Sequence, residues 1–252
     1  MVDFSLKEKI ALVTGASRGI GQSIAEAFAA NGAHVILVSR KVEGLQNVVD
    51  KIRENGGSAE AIACHMGHLE QIDALYETIR EKFGKLHILV NNAATNPYFG
   101  DMLGVDEKVW NKTNEVNLKG PFFMIQRAVP LMEAAGKGSI INVSSVNGVS
   151  PALLQGVYSI TKAGVISMTK AFAKELGSKN IRVNALLPGL TDTKFAEALI
   201  GNEAILNVAL QTVPMGRYAH PDEMAGAVLY LASDASSYTT GALMVCDGGM
   251  LA

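Results

Sequence analysis

Residues 9–40 read KIALVTGASRGIGQSIAEAFAANGAHVILVSR, and their pattern sets the fold. A nearly continuous apolar run reaches Thr14 and opens at once into a turn holding Gly15, Gly19 and Gly21. A helix-length amphipathic segment, IGQSIAEAFAANG, follows and ends in glycine, a residue suited to a helix C-terminus. The next apolar run, AHVILVS, closes at Ser39. Strand, glycine turn, helix and strand in this order form the repeating unit of a parallel α/β sheet.

The same alternation continues outward. Further apolar runs are SAEAIAC (58–64), LHILVNN (86–92), GSIINVSS (138–145), IRVNALLP (181–188) and ALMVCDGG (242–249). Several are β-branched along their length, as strands covered on both faces should be. Helix-length segments such as EQIDALYETIREKFG separate them. The expectation is an α/β, Rossmann-type doubly wound sheet of about seven parallel strands with helices on both faces. No linker, low-complexity tract or fixed-period repeat divides the chain, so residues 1–252 are expected to form one domain.

Composition narrows the function. The chain has 252 residues, 48% hydrophobic and 18% charged, with a formal net charge of -2. That balance gives no reason to expect nucleic acid or an anionic membrane as partner. Cys64 and Cys246 show no CxxC or metal-ligand spacing, so neither a disulfide framework nor a metal site is expected. The start, MVDFSLKEKI, does not read as a signal peptide, and no apolar stretch approaches the ~18 residues of a membrane span. The terminal GGMLA is not an SKL-type address, which leaves the cytoplasm as the expected compartment.

The glycine turn suggests a ligand. Glycines let backbone approach a pyrophosphate, and the helix N-terminus behind them offers free N–H groups and a positive dipole end. Gly15, Gly19 and Gly21 follow GxxxGxG spacing at the first βα turn, where a dinucleotide binds; packing alone is the alternative reading. At the end of the second strand an acidic residue would suit the ribose 2′-OH of NAD. This chain has Ser39-Arg40-Lys41 there, and Arg18 lies in the glycine turn. A hydroxyl and cations fit a 2′-phosphate, so NADP(H) is expected as the coenzyme and NAD(H) is the alternative; a solvated charge pair is the bland reading.

Chemistry enters at SSVNGVSPALLQGVYSITKAG, residues 144–164. Tyr158 and Lys162 are four apart, which stacks them on one helical face. Ser145 lies at the end of a strand, on the ligand side, and can face the tyrosine. A phenol titrates near 10 and is a poor acid or base at pH 7. An ammonium about 4 Å away contributes roughly 4 kcal/mol at an effective dielectric near 20, enough to lower that value by up to about three units before desolvation opposes it.

The motifs TGASRGIG, NNAA (91–94), Asn117 within NEVNLKG, Ser145, YSITK and PGLTDT (188–193) together resemble the short-chain dehydrogenase/reductase family. The resemblance runs through essentially the whole chain. It implies that Tyr158 exchanges a proton with the substrate oxygen, that Ser145 hydrogen-bonds that oxygen, and that Lys162 lowers the Tyr158 pKa and holds the nicotinamide ribose. Asn117 would position a water of the proton relay. Coenzyme contacts are implied for Gly15, Ser17, Arg18, Gly19, Ile20, Gly21, Ser39, Arg40, His65, Met66, Asn92, Ala93, Pro188, Gly189, Thr191 and Thr193, besides Tyr158 and Lys162. Two positions depart from the family pattern: Cys64-His65-Met66 replaces a common acidic residue near the adenine, and His87 replaces a frequent aspartate.

Within the family, NAATNPYFG (92–100) and NIRVNALLPGLTDTKF (180–195) are most similar to NADPH-dependent carbonyl reductases of the peroxisomal dehydrogenase/reductase type, which act on ketones, dicarbonyls and retinoids. A small carbonyl or alcohol is therefore the expected substrate. A 3-oxoacyl-[acyl-carrier-protein] reductase and a sugar-acid dehydrogenase are the competing activities, and a non-catalytic dinucleotide sensor the competing class. Residues 190–215 resemble the family's substrate lid, with Phe195, Leu199, Ile200, Ile205 and Leu206 as its apolar side chains. Helices near 108–135 and 156–178 resemble those that join subunits, which implies a homotetramer; Phe122, Phe123, Met124, Met168 and Phe172 could be interface or core.

Overall fold

Seven parallel strands form one sheet in the order β3-β2-β1-β4-β5-β6-β7. They are β1 (Ile10–Thr14), β2 (His34–Ser39), β3 (Ser58–Ala63), β4 (Ile88–Asn91), β5 (Gly138–Val143), β6 (Ile181–Pro188) and β7 (Leu243–Cys246). Each lies within an apolar run of the sequence. The structure, a computed structural model, describes residues 3–194, 196–201 and 203–252, and the side chains of Ala198, Leu199, Ala204 and Ile205 are outside the description.

Nine helices connect the described strands: α1 (Gly19–Ala30), α2 (Glu43–Glu54), α3 (Leu69–Phe83), α4 (Glu107–Asn114), α5 (Gly120–Ala134), α6 (Gly156–Leu176), α7 (Glu197–Ile200), α8 (Glu203–Leu210) and α9 (Ala225–Ala232). None of the described helices is long and apolar enough to cross a membrane. α3 stops at Gly84, whose φ of 67° is left-handed and whose N–H donates to the Arg80 carbonyl.

Strand alternation explains the layers. Ala11 and Val13 of β1, with Val35 and Leu37 of β2, pack under α1, α2 and α9. Leu12, Ile36 and Val38 face the other way, into a core with α3, α5 and α6. All these side chains are buried, and burial of each valine, leucine or isoleucine among them contributes roughly 1.5–3 kcal/mol. The helix expected near 108–135 is interrupted: Glu115–Lys119 forms a π-helical turn between α4 and α5, and Asn117 sits in it. Such turns are uncommon and re-aim a helix locally.

The order reverses between β1 and β4, so a crevice opens beyond their C-terminal ends. Thr14, fully buried, ties the two strands there. Its hydroxyl donates to the Val90 carbonyl (3.2 Å) and accepts from the N–H groups of Asn92 (2.9 Å) and Ala93 (3.0 Å). Thr14→Val keeps the shape and removes all three bonds. We expect about 2–3 kcal/mol of lost stability, read as a lower denaturant midpoint with an unchanged slope.

Candidate active site

The glycine turn is packed from behind by β4. Gly15 has a φ of 66°, and a Cβ there would lie 2.8 Å from Asn92 Nδ2. That amide donates to the carbonyls of Thr14 (2.9 Å) and Gly15 (3.2 Å), so the Asn92 side chain braces the turn. Gly21 packs against the Gly15 carbonyl at a distance that admits no side chain. Ile20 is half-buried against the core. Arg18 precedes α1 in an extended conformation, with no side-chain cap and no acidic residue in the helix's first turn. The N–H groups and the dipole end of α1 thus face the crevice without a resident anion.

At the end of β2, the Ser39 hydroxyl donates to the Lys41 carbonyl (2.7 Å) and is turned into its own loop. Arg18 and Arg40 are exposed and make no ion pair among the described residues. Cys64 N–H donates to the Ser39 carbonyl (2.8 Å), which brings the end of β3 beside Arg40. Met66 is buried, with its carbonyl against Gly120. The half-buried His65 accepts at Nδ1 from the Gly67 N–H (3.0 Å) and meets His68 edge-on. Burial, then His68 and Arg40, hold His65 below its ordinary range. Ser17 faces Gly44 at the start of α2.

β6 ends at Pro188, and Gly189 N–H donates to the Cys246 carbonyl (2.9 Å). Thr191 is buried, donates to the Gly189 carbonyl (3.1 Å) and pairs with Ala219 in an isolated bridge. Thr193 lies over Gly19, where a Cβ would approach its methyl to 3.1 Å. The segment after β6 therefore reaches the glycine turn. Beyond it, Phe195 and the side chains of Leu199 and Ile205 lie outside the described residues, while Ile200 and Leu206 are half-buried.

Ser145, Tyr158 and Lys162 converge at the end of β5. Tyr158 and Lys162 are buried on α6, and Ser145, also buried, hydrogen-bonds Tyr158. Ser145 Oγ also accepts from the Asn147 N–H (3.1 Å), so it caps a 3-10 turn as well as facing the phenol. Lys162 Nζ lies 5.5 Å from the Tyr158 ring centroid and donates to the Val143 carbonyl (2.8 Å). Asn117 accepts at Oδ1 from Thr95 N–H (2.8 Å) and donates through Nδ2 to the Thr95 carbonyl (2.9 Å) and Thr161 Oγ1 (3.1 Å). Its side chain clasps the loop after β4 onto α6, one residue from Lys162.

The electrostatics of Tyr158 and Lys162 differ from the expectation drawn from their spacing. Burial pushes the Tyr158 phenol up to about 12, against the lowering effect of the Ser145 hydrogen bond. Burial also pushes the Lys162 ammonium down to about 8. Desolvation of both groups outweighs the attraction reckoned from spacing alone. Three contributors escaped the sequence reading. The Ser144 hydroxyl donates to the Lys162 carbonyl (2.8 Å), the Val143 carbonyl holds the ammonium, and Gly148 packs on the Lys162 backbone, where a Cβ would meet it at 2.8 Å. Two serines and a glycine beside a strand end were the available signal. Among the described residues no group of three or more His, Cys, Asp or Glu could hold a metal.

Comparison with known proteins agrees with this geometry. Residues 15–251 match a family model described as enoyl-(acyl carrier protein) reductase. Human dehydrogenase/reductase SDR family member 4 is 39% identical, over 97% of this chain and 88% of that protein. The 3-oxoacyl-[acyl-carrier-protein] reductase FabG of Thermotoga maritima is also 39% identical, over 98% of this chain and 99% of its own. A putative NAD(P)-dependent gluconate 5-dehydrogenase from Beutenbergia cavernae, crystallised with NADP, superposes with a TM-score of 0.94 at 33% identity, covering 98% of each chain.

The lowered Lys162 pKa has a sign. Unfolded lysine titrates at 10.5 and the folded group near 8, so between these values the unfolded chain binds more protons. Stability then rises with pH across that window, and the Tyr158 phenol opposes the rise only above its unfolded value of 10.0. In Lys162→Met the charge is absent. The stability advantage of that variant over the parent should shrink by ~2 kcal/mol from pH 7.5 to 10, measured by urea unfolding without coenzyme.

Proposed function

This chain belongs to the short-chain dehydrogenase/reductase family of oxidoreductases, and we propose that it reduces an apolar ketone or dicarbonyl with NADPH. The observation that carries the reading is the convergence of Ser145, Tyr158 and Lys162 beside the glycine turn. NADPH supplies the hydride when bound. The residues fit it: an uncapped α1 N-terminus for the pyrophosphate, and Arg18, Arg40 and Lys41 for a 2′-phosphate.

In the reductive direction Ser145 donates a hydrogen bond to the carbonyl oxygen. As hydride reaches the carbon, Tyr158 gives its phenolic proton to that oxygen, and the product is the alcohol. A phenol held near 12 is fully protonated at pH 7, the form reduction needs. Lys162, cationic below about 8, faces the phenolate that remains and stabilises it until a proton returns. Asn117 is a positioning residue in this account, holding the Thr95 loop and α6 in register.

The substrate class rests on the mouth of the site. Met102 packs on Gly156, two residues before Tyr158, and Phe99, Leu103, Leu153 and Leu154 stand exposed around it. Such a rim favours apolar carbonyls over polyhydroxy acids. The acyl-carrier alternative draws support from the Thermotoga relative. Against it, the charges that close α5, Glu133 and Lys137, are paired with Lys179 and Asp234 at the edge of the sheet opposite the Ser145–Tyr158–Lys162 group, away from where an acidic carrier would have to dock. We further propose residues 190–215 as the lid, the cytoplasm as compartment and a homotetramer as the assembly. The Phe122, Phe123 and Phe172 rings form a half-exposed aromatic cluster on α5 and α6 that supports the last; Met124 and Met168 are core.

Two experiments test this reading. Tyr158→Phe should lower kcat by about 10³-fold or more while NADPH affinity, from fluorescence titration, stays within about two-fold. Retained turnover removes the assignment. Arg40→Asp should shift the ratio of kcat/KM for NADPH over NADH toward NADH by at least about ten-fold, assayed with an α-diketone, a ketone, retinal, a keto-gluconate and an acetoacetyl thioester. An unshifted ratio sinks the coenzyme assignment, and a preference for the thioester or the keto-gluconate sinks the substrate class.

A further inference from the structure

The opposite edge of the sheet carries a second concentration of charge. Every strand runs parallel, so the residues that open the strands gather far from Tyr158. Lys9 precedes β1, His87 precedes β4, Lys137 precedes β5 and Arg182 is second in β6. With Asp234 and Ser237 they line a cavity of about 380 Å³. That volume lies in the range of small-molecule sites, roughly 300–1,000 Å³. It shares no residue with the coenzyme crevice or the Ser145–Tyr158–Lys162 group.

We propose that this cavity binds a phosphate-bearing small molecule, held by Lys9, Lys137, Arg182 and the His87 ring N–H. The charge balance points to an anion. Three cations act on one lining carboxylate, Asp234, which Lys137 grips through both oxygens at 2.9 and 2.8 Å. Lys9 and Lys137 line the cavity together, and Lys137 acts on the Lys9 ammonium as a like charge. Glu8, exposed, is the remaining carboxylate acting on Lys9, and its influence is the weakest. Two ammonium groups drawn toward one place repel each other, and an anion between them offsets that repulsion.

Donor geometry is also prepared. His87 Nδ1 accepts the Ile10 N–H at 2.9 Å, which places the proton of the neutral ring on Nε2. Burial and then Lys9 hold His87 near 4, so the ring stays neutral at pH 7 and offers one fixed donor. Arg182 is steadied by the Ser233 carbonyl through Nη2 (3.1 Å) and by the Thr239 carbonyl through Nη1 (3.4 Å), and of its five N–H groups others remain for a ligand. A guanidinium and two ammonium groups facing one carboxylate leave a surplus of two positive charges, which a phosphate monoester dianion matches.

The test is calorimetric titration of the full chain with inorganic phosphate, and separately with glycerol 3-phosphate, at constant ionic strength. It is run in the parent and in Arg40→Ala, which weakens the 2′-phosphate region and leaves the cavity lining untouched. Saturable one-site binding of either anion in both proteins is expected. Lys9→Gln should weaken it at least five-fold without lowering the melting temperature, because a like-charge repulsion is relieved. Asp234→Asn should tighten it at least three-fold; should that variant fail to fold, Lys9→Gln decides alone. No saturable binding, binding lost in Arg40→Ala, or affinity unchanged in Lys9→Gln would overturn the proposal.

Discussion

A buried ammonium with a single described acceptor organises the active edge of this protein. Lys162 is 3% exposed, and the hydrogen-bond acceptor it reaches is the Val143 carbonyl. Removing a cation from water is expensive, and the structure spends several local features on holding it there. Ser144 fixes the backbone carbonyl of the same residue, Gly148 leaves room for that backbone to approach, and Thr161 anchors the preceding turn to Tyr158 and Asn117. The resulting depression of the lysine and elevation of the phenol place the two titrations on either side of their ordinary order. In the proposed reaction, proton donation by the phenol and stabilisation of what remains then fall to adjacent groups with distinct roles.

The crevice beside this pair depends on a different constraint, the reversal of strand order between β1 and β4. Thr14 and Asn92 close that gap with hydrogen bonds that would otherwise leave strand-end amides unmet. The Asn92 amide faces the turn's own carbonyls, so what it supports is the shape of the glycine turn. Thr193 packs over Gly19 from the far side, which ties the segment after β6 to the same turn. A change in either support would be felt at the glycines before it is felt at Tyr158.

Much of this was legible in the chain alone, and the limits have physical causes. All seven strands fall inside the apolar runs because parallel strands covered on both faces need continuous hydrophobicity, and that signal is local. Tyr158 and Lys162 were legible because helical spacing fixes their proximity. The π-helical turn at Glu115–Lys119 was not, since its register depends on packing of α4 and α5 against the loop at Thr95. The direction of the phenol's shift was missed for the same kind of reason. Spacing gives the distance between charges, whereas burial, which decided the outcome, is a property of the assembled core.

The two edges of the sheet illustrate how one topology sorts function by direction. At the C-terminal edge, helix N-termini and glycines leave donors unmet and collect ligand-facing groups. At the N-terminal edge, helices arrive with their C-terminal ends, which favour cations, and Lys137 follows α5 while Arg182 follows α6. Each cation is therefore reasonable singly. Their convergence on Asp234 with Lys9 is what helix dipoles do not explain, because a screened dipole end contributes at most ~1 kcal/mol at the surface and acts over one turn. An excess of positive charge assembled from three separate strand starts favours a counter-anion among them, which is the occupant proposed for the cavity they line.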